Sequence, residues 1–358
     1  MNAIDVEMSQ RGLIAIAGAR FVDTELSSDE IRCSVLTHSG LPLFIEPTGG
    51  VVSTHRAAFV HWLGAHRTTL EQLMVKHGGV VLRGFPLTET ADFEAVVGEF
   101  ETYSAGYLGG STPRRPLGRN VLESTSLASD LRLGVHSEMA YMRDFPPRIA
   151  FFARQVAERG GETIIADFRR MSELIPGPLR EKLQLRGIRN VRNYGPAAAR
   201  EPEYIDNPDM RPWNHSFFTD SQSEVDKLAL GLGMRTVWHA DGSLTVINQM
   251  DAFTTHPATG QSVYRNNIHA GGRLNYTGER AESERALLAR QKMPTGTFLG
   301  DGCSLDATEM ALLSRLINEV TISWPWANGD TMILDNLQVG HGRNPFEGRR
   351  ETQVALLG

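Results

Sequence analysis

The sequence predicts a mainly β protein with α insertions, and three observations support this fold class. Short apolar segments, such as residues 149–152, 163–166 and 331–334, are bounded by turn residues, which is typical of β-strands. Helical periodicity is confined to a few segments, and no steady strand–helix–strand alternation connects them. A β-sandwich or barrel with helical insertions is therefore favoured over a parallel α/β sheet. The chain contains neither a Rossmann fingerprint nor a P-loop.

The individual elements follow from apolar periodicity and from turn and cap residues. The helix predicted at 69–77 stops at Gly78-Gly79, and the helix at 307–320 begins after Asp306 with Glu309 in a capping-box position. Two strands within 234–249 flank an Asp241-Gly242 turn. Residues 1–40 are interpreted as an N-terminal arm and residues 41–358 as one domain. The other predicted elements are strands at 43–45, 80–82, 149–152, 163–166, 331–334 and 354–357, and helices at 91–100 and 283–292.

Composition limits the classes of partner. The chain has 358 residues, 41% hydrophobic and 22% charged, with a formal net charge of -6, which is ordinary for a globular protein and predicts no nucleic-acid partner. Cys33 and Cys303 are too few for a disulfide framework. No secretory signal and no apolar run of about 20 residues is present, so we expect a cytoplasmic protein without a membrane partner. The sequence makes no prediction of oligomeric state.

The strongest local signal is the tripeptide His136-Ser137-Glu138. On an extended strand, residues i and i+2 point to the same side, so His136 and Glu138 can reach one point in space. His341 lies beyond the predicted strand at 331–334 and is the best candidate for a third ligand. Two imidazoles and one carboxylate form the facial triad of non-haem iron(II) oxygenases, which leaves positions open for a co-substrate and dioxygen. The plain alternative for such a tripeptide is a surface or structural pair.

A second pair of residues suits a dicarboxylate co-substrate. Arg350 is placed on the last strand, nine residues after His341, and a planar guanidinium makes bidentate bonds to a carboxylate without losing its proton. The hydroxyl of Thr163, which follows Gly160-Gly161-Glu162, can donate another bond. Arg349 is adjacent, and a slip of one residue on a strand reverses the face, so only one of the two arginines can point inward. The alternative for Arg350 alone is a surface basic residue.

Several segments together resemble the taurine dioxygenase family in its clavaminate synthase-like group, and most closely the amino-acid hydroxylases of nonribosomal peptide biosynthesis of the syringomycin type. They span roughly residues 80–358 in family order. The Glu138 ligand, where many family members have Asp, is usual in the clavaminate-like subgroup. The matching segments are Leu82-Arg83-Gly84-Phe85, residues 136–141, residues 147–152, residues 160–163 with Asp167, His256-Pro257-Ala258-Thr259-Gly260, and residues 335–336 with 341–348.

The resemblance implies a double-stranded β-helix, or jelly roll, that uses iron(II), 2-oxoglutarate and O2. It implies that His136, Glu138 and His341 bind iron. It also implies that Thr163 and Arg350, which aligns without a gap, bind the distal carboxylate of 2-oxoglutarate. The expected reaction is oxidation, most simply hydroxylation, of an unactivated C–H bond of an amino acid or an amino-acid-derived natural-product intermediate, free or tethered to a carrier protein, with release of succinate.

The substrate residues are less sharply indicated. Ser124, Tyr141, Arg343 and Asn267 are the candidates for substrate contact; for Tyr141 the alternative is packing, and for Arg343 it is a pair with Asp335. We expect Asp335 and Asn336 to hold the loop before His341. Desaturation, epoxidation or cyclisation would need only a different substrate pose at the same iron site. A cupin-type metalloenzyme independent of 2-oxoglutarate and a non-catalytic jelly-roll binding protein are the competing interpretations.

Overall fold

The computed structural model describes residues 6–8, 14–16, 18–36, 38–110, 114–125, 127–198, 211–270 and 295–358. The predicted helix at 283–292 lies outside these residues. The α-helices are α1 (Arg56–Ala65), α2 (Arg67–His77), α3 (Thr90–Val97), α4 (Phe168–Leu174), α5 (Gly177–Arg186), α6 (Trp213–Phe217), α7 (Gln222–Gly231) and α8 (Ala307–Glu319), with single 3-10 turns at Val51–Ser53 and Ile268–Ala270. None of these helices is long and apolar enough to cross a bilayer.

The strands outnumber the helices. They are β1 (Val6–Met8), β2 (Ile14–Ile16), β3 (Ala19–Phe21), β4 (Ile31–Leu36), β5 (Leu43–Pro47), β6 (Gly79–Leu82), β7 (Leu122–Glu123), β8 (Leu133–His136), β9 (Arg148–Gln155), β10 (Arg159–Gly160), β11 (Thr163–Asp167), β12 (Ile188–Tyr194), β13 (Arg235–Trp238), β14 (Leu244–Met250), β15 (Phe253–Thr255), β16 (Ser262–Tyr264), β17 (Thr295–Leu299), β18 (Thr321–Ile322), β19 (Thr331–Asp335), β20 (Val339–Arg343), β21 (Phe346–Glu347) and β22 (Glu351–Leu357).

Two sheets form the centre of the molecule. The large sheet has eight strands in the order β3-β4-β5-β6-β19-β9-β22-β7, and the small sheet has four in the order β18-β11-β20-β8. Apart from the parallel pair β5–β6, the strand pairs of both sheets are antiparallel. This arrangement confirms the predicted jelly-roll class, mainly β with α insertions.

Alternate residues of the large sheet face two different cores, as the period of a strand requires. Val81 and Phe151 belong to the core shared with Ile165 and Val339 of the small sheet. Their neighbours on the same strands pack instead against α1, α2 and α3. The outer face of the small sheet is covered by α4, α5 and α8. The ligand-bearing strands therefore lie between two packed layers.

A separate four-stranded sheet, in the order β13-β14-β12-β17, forms the main insertion. This sheet contacts the loop that precedes β7 through two hydrogen bonds. The hydroxyl of Tyr194 donates to the Gly109 carbonyl at 2.7 Å, and Arg192 donates to the same oxygen at 3.0 Å. The sequence predicted β13 and β14 with their turn, where Gly242 has φ 80°, but not β12 or β17. The insertion thus supports a loop that reaches the candidate site.

Several predicted boundaries are confirmed and others are corrected. Gly78 ends α2 in the left-handed conformation, and Asp306 with Glu309 forms the capping box of α8. The last strand begins at Glu351 rather than at 354, because the polar side chains of Thr352 and Gln353 are buried and Gln353 donates to Thr90. Arg350 therefore precedes this strand instead of lying on it.

The N-terminal residues are not separate from the large sheet in the described part. β3 pairs with β4, and β4 pairs with β5 across the predicted boundary at residue 40. Ile31, Cys33 and Val35 pack into the same core as Leu43. The division into an arm at 1–40 and a domain at 41–358 remains a prediction.

Candidate active site

His136 and His341 face each other across a strand pair. They are direct partners in the antiparallel pairing of β8 with β20, with ring centroids 4.5 Å apart. The flanking glycines permit this close approach, since a Cβ on Gly342 would lie 2.5 Å from the Leu133 carbonyl oxygen and one on Gly340 would lie 2.4 Å from the Phe168 ring. The sequence Gly-His-Gly is therefore required by packing on both sides of β20.

Glu138 lies in a turn, which corrects the expectation that it extends the strand. β8 ends at His136, and Met139 has φ 52°, an uncommon value for a residue with a side chain. Asn336 holds this turn from both sides: its Oδ1 accepts from the Glu138 amide at 2.8 Å, and its Nδ2 donates to the Glu138 carbonyl at 3.0 Å. The Asn267 Oδ1 accepts from the Ser137 amide at 3.3 Å. The carboxylate is thus directed by a turn rather than by strand periodicity.

The three predicted side chains converge. One ligand atom each of His136, Glu138 and His341 lies within 4.8 Å of the others, and Glu138 Oε2 is 3.6 Å from His341 Nε2. His136 donates from Nδ1 to the Gly134 carbonyl at 2.9 Å, which fixes the ring and leaves Nε2 for another partner. Two imidazoles and one buried carboxylate are a donor set that suits iron(II), so the residues fit this metal.

Burial and neighbouring charges set the protonation of this cluster. Burial lowers the pKa of His136 to about 4, and His341 beside it acts in the same direction. Burial opposes ionisation of the Glu138 carboxyl, but the Arg114 guanidinium and then His341 outweigh it and hold the pKa well below its usual range. The cluster therefore contains a neutral His136 and an ionised carboxylate at neutral pH, the forms that bind a metal.

Thr163 and Arg350 meet beside the same strand pair. Thr163 is on β11 opposite Arg343, two residues along from the Ile165–His341 pair, so its side chain points to the same face as His341 at a distance along the strand of roughly 7 Å. Arg350 donates from Nη2 to the Thr163 hydroxyl at 3.3 Å and from Nε to the Gly161 carbonyl at 2.7 Å.

Arg350 makes no ion pair with any carboxylate in the described part of the chain. Burial and the charge of Arg343 together lower its pKa to about 10 against the opposing charge of Glu162, so the guanidinium stays protonated at neutral pH. Gly161 has φ +76°, and a Cβ there would lie 3.0 Å from Arg350 Cδ. A cavity of about 160 Å³ opens beside Arg350, Gly161 and Trp326, but the three candidate iron ligands do not line it.

The predicted substrate residues have different surroundings. Tyr141 lies near Glu138, whose charge adds to burial in raising the tyrosine pKa, and its hydroxyl donates to the Leu108 carbonyl at 3.4 Å. Ser124 accepts through its carbonyl from Arg114 at 2.6 Å. Arg343 donates to the carbonyls of Leu127 and Ala128 and of a third residue in the same loop. Substrate contact by these residues and by Asn267 remains a prediction.

Two residues near the cluster were not identified as site residues by sequence reasoning. Arg114 donates to Glu138 Oε2 at 3.1 Å, although nothing in its local sequence indicates this. Asn336 was expected to hold the loop before His341; Asp335 has that role, accepting from the amides of Leu337 and Gln338, while Asn336 holds Glu138. The Asp-Asn pair was a usable signal, but it did not indicate which segment each side chain would bind.

Comparison with known proteins decides the family. Residues 45–356 match the model described as "Taurine catabolism dioxygenase TauD, TfdA family". The chain belongs to this family. It is 27% identical over 305 residues to the dapdiamide synthesis protein DdaC of Enterobacter agglomerans, covering 85% of this chain and 89% of that one. It is 29% identical over 306 residues to a clavaminate synthase-like protein of Arabidopsis thaliana, covering 83% and 87%.

The fold is also similar to that of a known oxygenase. PvcB, an Fe, alpha-ketoglutarate dependent oxygenase from an isonitrile synthetic pathway, superposes with a TM-score of 0.51 at 15% identity over 94% of each chain. As a member of the TauD/TfdA family, the protein is an iron(II)- and 2-oxoglutarate-dependent dioxygenase that uses O2. This confirms the predicted enzyme class and cofactors.

Proposed function

We propose that this dioxygenase hydroxylates an unactivated C–H bond of an amino acid or of an amino-acid-derived natural-product intermediate. The observation on which the proposal depends is the convergence of His136, Glu138 and His341 within 4.8 Å. The names of two similar proteins, which refer to dapdiamide synthesis and to an isonitrile synthetic pathway, support a biosynthetic substrate.

In this proposal the three converging side chains hold iron(II). When bound, iron(II) supplies the activation of O2 that couples conversion of 2-oxoglutarate to succinate and carbon dioxide with C–H oxidation. His136 remains neutral through burial and is oriented by the Gly134 carbonyl. Asn336 fixes the Glu138 turn, and the side chains of Glu138 and His341 are buried, so the site is kept largely free of bulk water.

Arg350 and Thr163 bind the distal carboxylate of 2-oxoglutarate in this proposal. The guanidinium forms no ion pair with an acid among the described residues. Its contact to the Thr163 hydroxyl orients both groups toward the face of the small sheet to which His341 also points. A five-carbon dicarboxylate is of a suitable length for the separation of roughly 7 Å along the strand. These two residues would therefore fix the co-substrate while leaving the substrate side of the cluster open.

The proposal is tested by measuring succinate formation with purified enzyme, iron(II), 2-oxoglutarate and O2 in the presence of each of the twenty L-amino acids. We expect one or a few amino acids to accelerate succinate formation and to yield products heavier by one oxygen atom. Products lighter by two hydrogens would instead indicate desaturation or cyclisation. Substrate oxidation that continues without 2-oxoglutarate would reject the proposal, and no acceleration by any of the twenty would reject a free proteinogenic amino acid as the substrate.

A further inference from the structure

Arg114 is a buried cation next to the candidate iron site. Its side chain is 15% exposed and its Nη2 donates to Glu138 Oε2 at 3.1 Å. Its Nη1 donates to the Ser124 carbonyl at 2.6 Å, and the guanidinium lies 4.4 Å from the centre of the Tyr107 ring. These contacts fix the guanidinium in place and leave Glu138 as its one acidic partner among the described residues.

The same carboxylate oxygen faces both Arg114 and the histidine cluster. Glu138 Oε2 is 3.1 Å from Arg114 Nη2 and 3.6 Å from His341 Nε2. A divalent metal held by the three side chains would share this oxygen with the guanidinium. Arg114 therefore neutralises Glu138 in the metal-free protein and loses much of that counter-charge when metal binds.

The charges of the loaded site indicate what replaces it. Under the proposed function, the two charges of iron(II) are balanced by Glu138 and by the carboxylate of 2-oxoglutarate next to the metal, while Arg350 is balanced by the distal carboxylate. Arg114 is then a buried cation without an anionic partner among the described residues, which is costly. An arginine held in one plane is well suited to bind another carboxylate.

We propose that Arg114 determines specificity by binding a carboxylate of the substrate once metal has taken over Glu138. This inference rests on the proposed function and makes it narrower: the substrate has a free carboxylate beside the C–H bond that is oxidised. A substrate joined to a carrier protein through its α-carboxylate would lack this group. The inference therefore favours a free amino acid over a tethered one, unless the side chain is itself acidic.

A metal titration tests the shared oxygen without requiring turnover. Binding of Mn(II) is measured by electron paramagnetic resonance for the wild type, Arg114→Met, Arg114→Lys and the control Arg115→Met, whose side chain is 65% exposed. We expect Arg114→Met to bind Mn(II) severalfold more tightly, because a competing cation is removed, and the other two variants to resemble the wild type. Weaker Mn(II) binding by a folded Arg114→Met would show that Arg114 only supports Glu138 and would overturn the inference.

A comparison of acids with amides tests the substrate carboxylate. Succinate formation is measured with the twenty L-amino acids and with their α-carboxamides. We expect acceleration by an acid but not by its amide, and a KM for the acid raised roughly 10- to 100-fold in Arg114→Met with a smaller change in kcat. If aspartate or glutamate and their α-amides are active while asparagine and glutamine are not, Arg114 binds the side-chain carboxylate.

The outcomes separate the two proposals. Equal acceleration by an acid and its α-amide, for an amino acid without an acidic side chain, would reject the role of Arg114 and leave the proposed function intact. Acceleration by no compound in the wild type would reject the amino-acid substrate, and the Mn(II) titration alone would then decide whether Arg114 competes for Glu138.

Discussion

Two arginines in this protein, one fully buried and one half-buried, have opposite surroundings. Arg83, next to the large sheet, donates from Nε to Asp330 at 3.0 Å, and both side chains are almost fully buried. Arg350, next to the small sheet, contacts a hydroxyl and a carbonyl but no carboxylate of the described residues. The Arg83–Asp330 pair cannot lose one partner without leaving a buried charge uncompensated, whereas Arg350 is available for an anionic ligand.

The largest effect is expected from removal of a candidate iron ligand, which lies on the same sheet face as the contact made by Arg350. His136→Ala removes one of three converging donors, and we expect no measurable succinate formation and a loss of Mn(II) affinity of more than about 100-fold, since loss of even a supporting partner costs roughly 10- to 100-fold. Mn(II) titration and circular dichroism check this. His239→Ala is the control, because this exposed histidine bonds Thr245 away from the cluster. Unchanged Mn(II) binding in folded His136→Ala would mean that the metal lies elsewhere.

The next largest effect is expected for the buried ion pair of Arg83 with Asp330. Arg83→Met leaves the Asp330 carboxylate buried without its partner, and we expect the free energy of unfolding to fall by about 3–5 kcal/mol. Urea unfolding measures this change. The KM for 2-oxoglutarate, measured on the folded fraction, should not move. An altered KM with unaltered stability would show that Arg83 is not the structural arginine of the two.

For Arg350, which has no acidic partner among the described residues, the expected effect is on co-substrate binding rather than on stability. Arg350→Met should raise the KM for 2-oxoglutarate roughly 10- to 100-fold, equivalent to about 1.5–3 kcal/mol, through loss of charge-assisted hydrogen bonds. Arg349→Met is the matched control, because Arg349 is 76% exposed and its nearest acid, Glu351, is 3.9 Å away. Initial rates at varied 2-oxoglutarate check the pair. A larger effect from Arg349→Met would place the co-substrate contact one residue earlier.

The elements of the fold differ in how far the sequence could predict them. Helix ends with strong local signals, such as the Gly78 cap and the Asp306–Glu309 box, were predicted correctly. β12 was missed because its residues are only alternately buried and partly exposed, so it lacks the continuous apolar run by which the other strands were identified. Local patterns predict elements whose stability is mostly local, and they fail where pairing with distant strands determines the element.

The candidate site shows the same limit. Strand periodicity brought His136 and Glu138 to one point but assigned Glu138 to a strand, whereas its turn depends on Asn336, 198 residues away. Arg114 could not be identified from its neighbours, since its significance comes from a contact with a carboxylate 24 residues further along. The motif therefore predicted which residues would converge, and long-range contacts determined how they do so.

The smallest expected effect concerns the buried side chain of His269, which supports strand β8. His269 is buried, donates from Nε2 to the Val135 carbonyl at 2.8 Å and accepts at Nδ1 from the Tyr264 hydroxyl at 2.9 Å. Burial lowers its pKa to about 4, below the roughly 6.5 of an unfolded chain. The unfolded state therefore binds more protons between these values, and stability falls as the pH drops through this window, by about 2 kcal/mol at pH 5 relative to pH 7.5.

His269→Gln keeps a donor and an acceptor but does not titrate. We expect its free energy of unfolding, measured by urea titration of the metal-free protein at both pH values, to fall less on acidification than that of the wild type, by about 2 kcal/mol. His239→Gln, an exposed control, should keep the wild-type pH dependence. An identical pH dependence in His269→Gln and the wild type would mean that this histidine takes up its proton over the same pH range in the folded and the unfolded protein, so that burial does not shift its pKa.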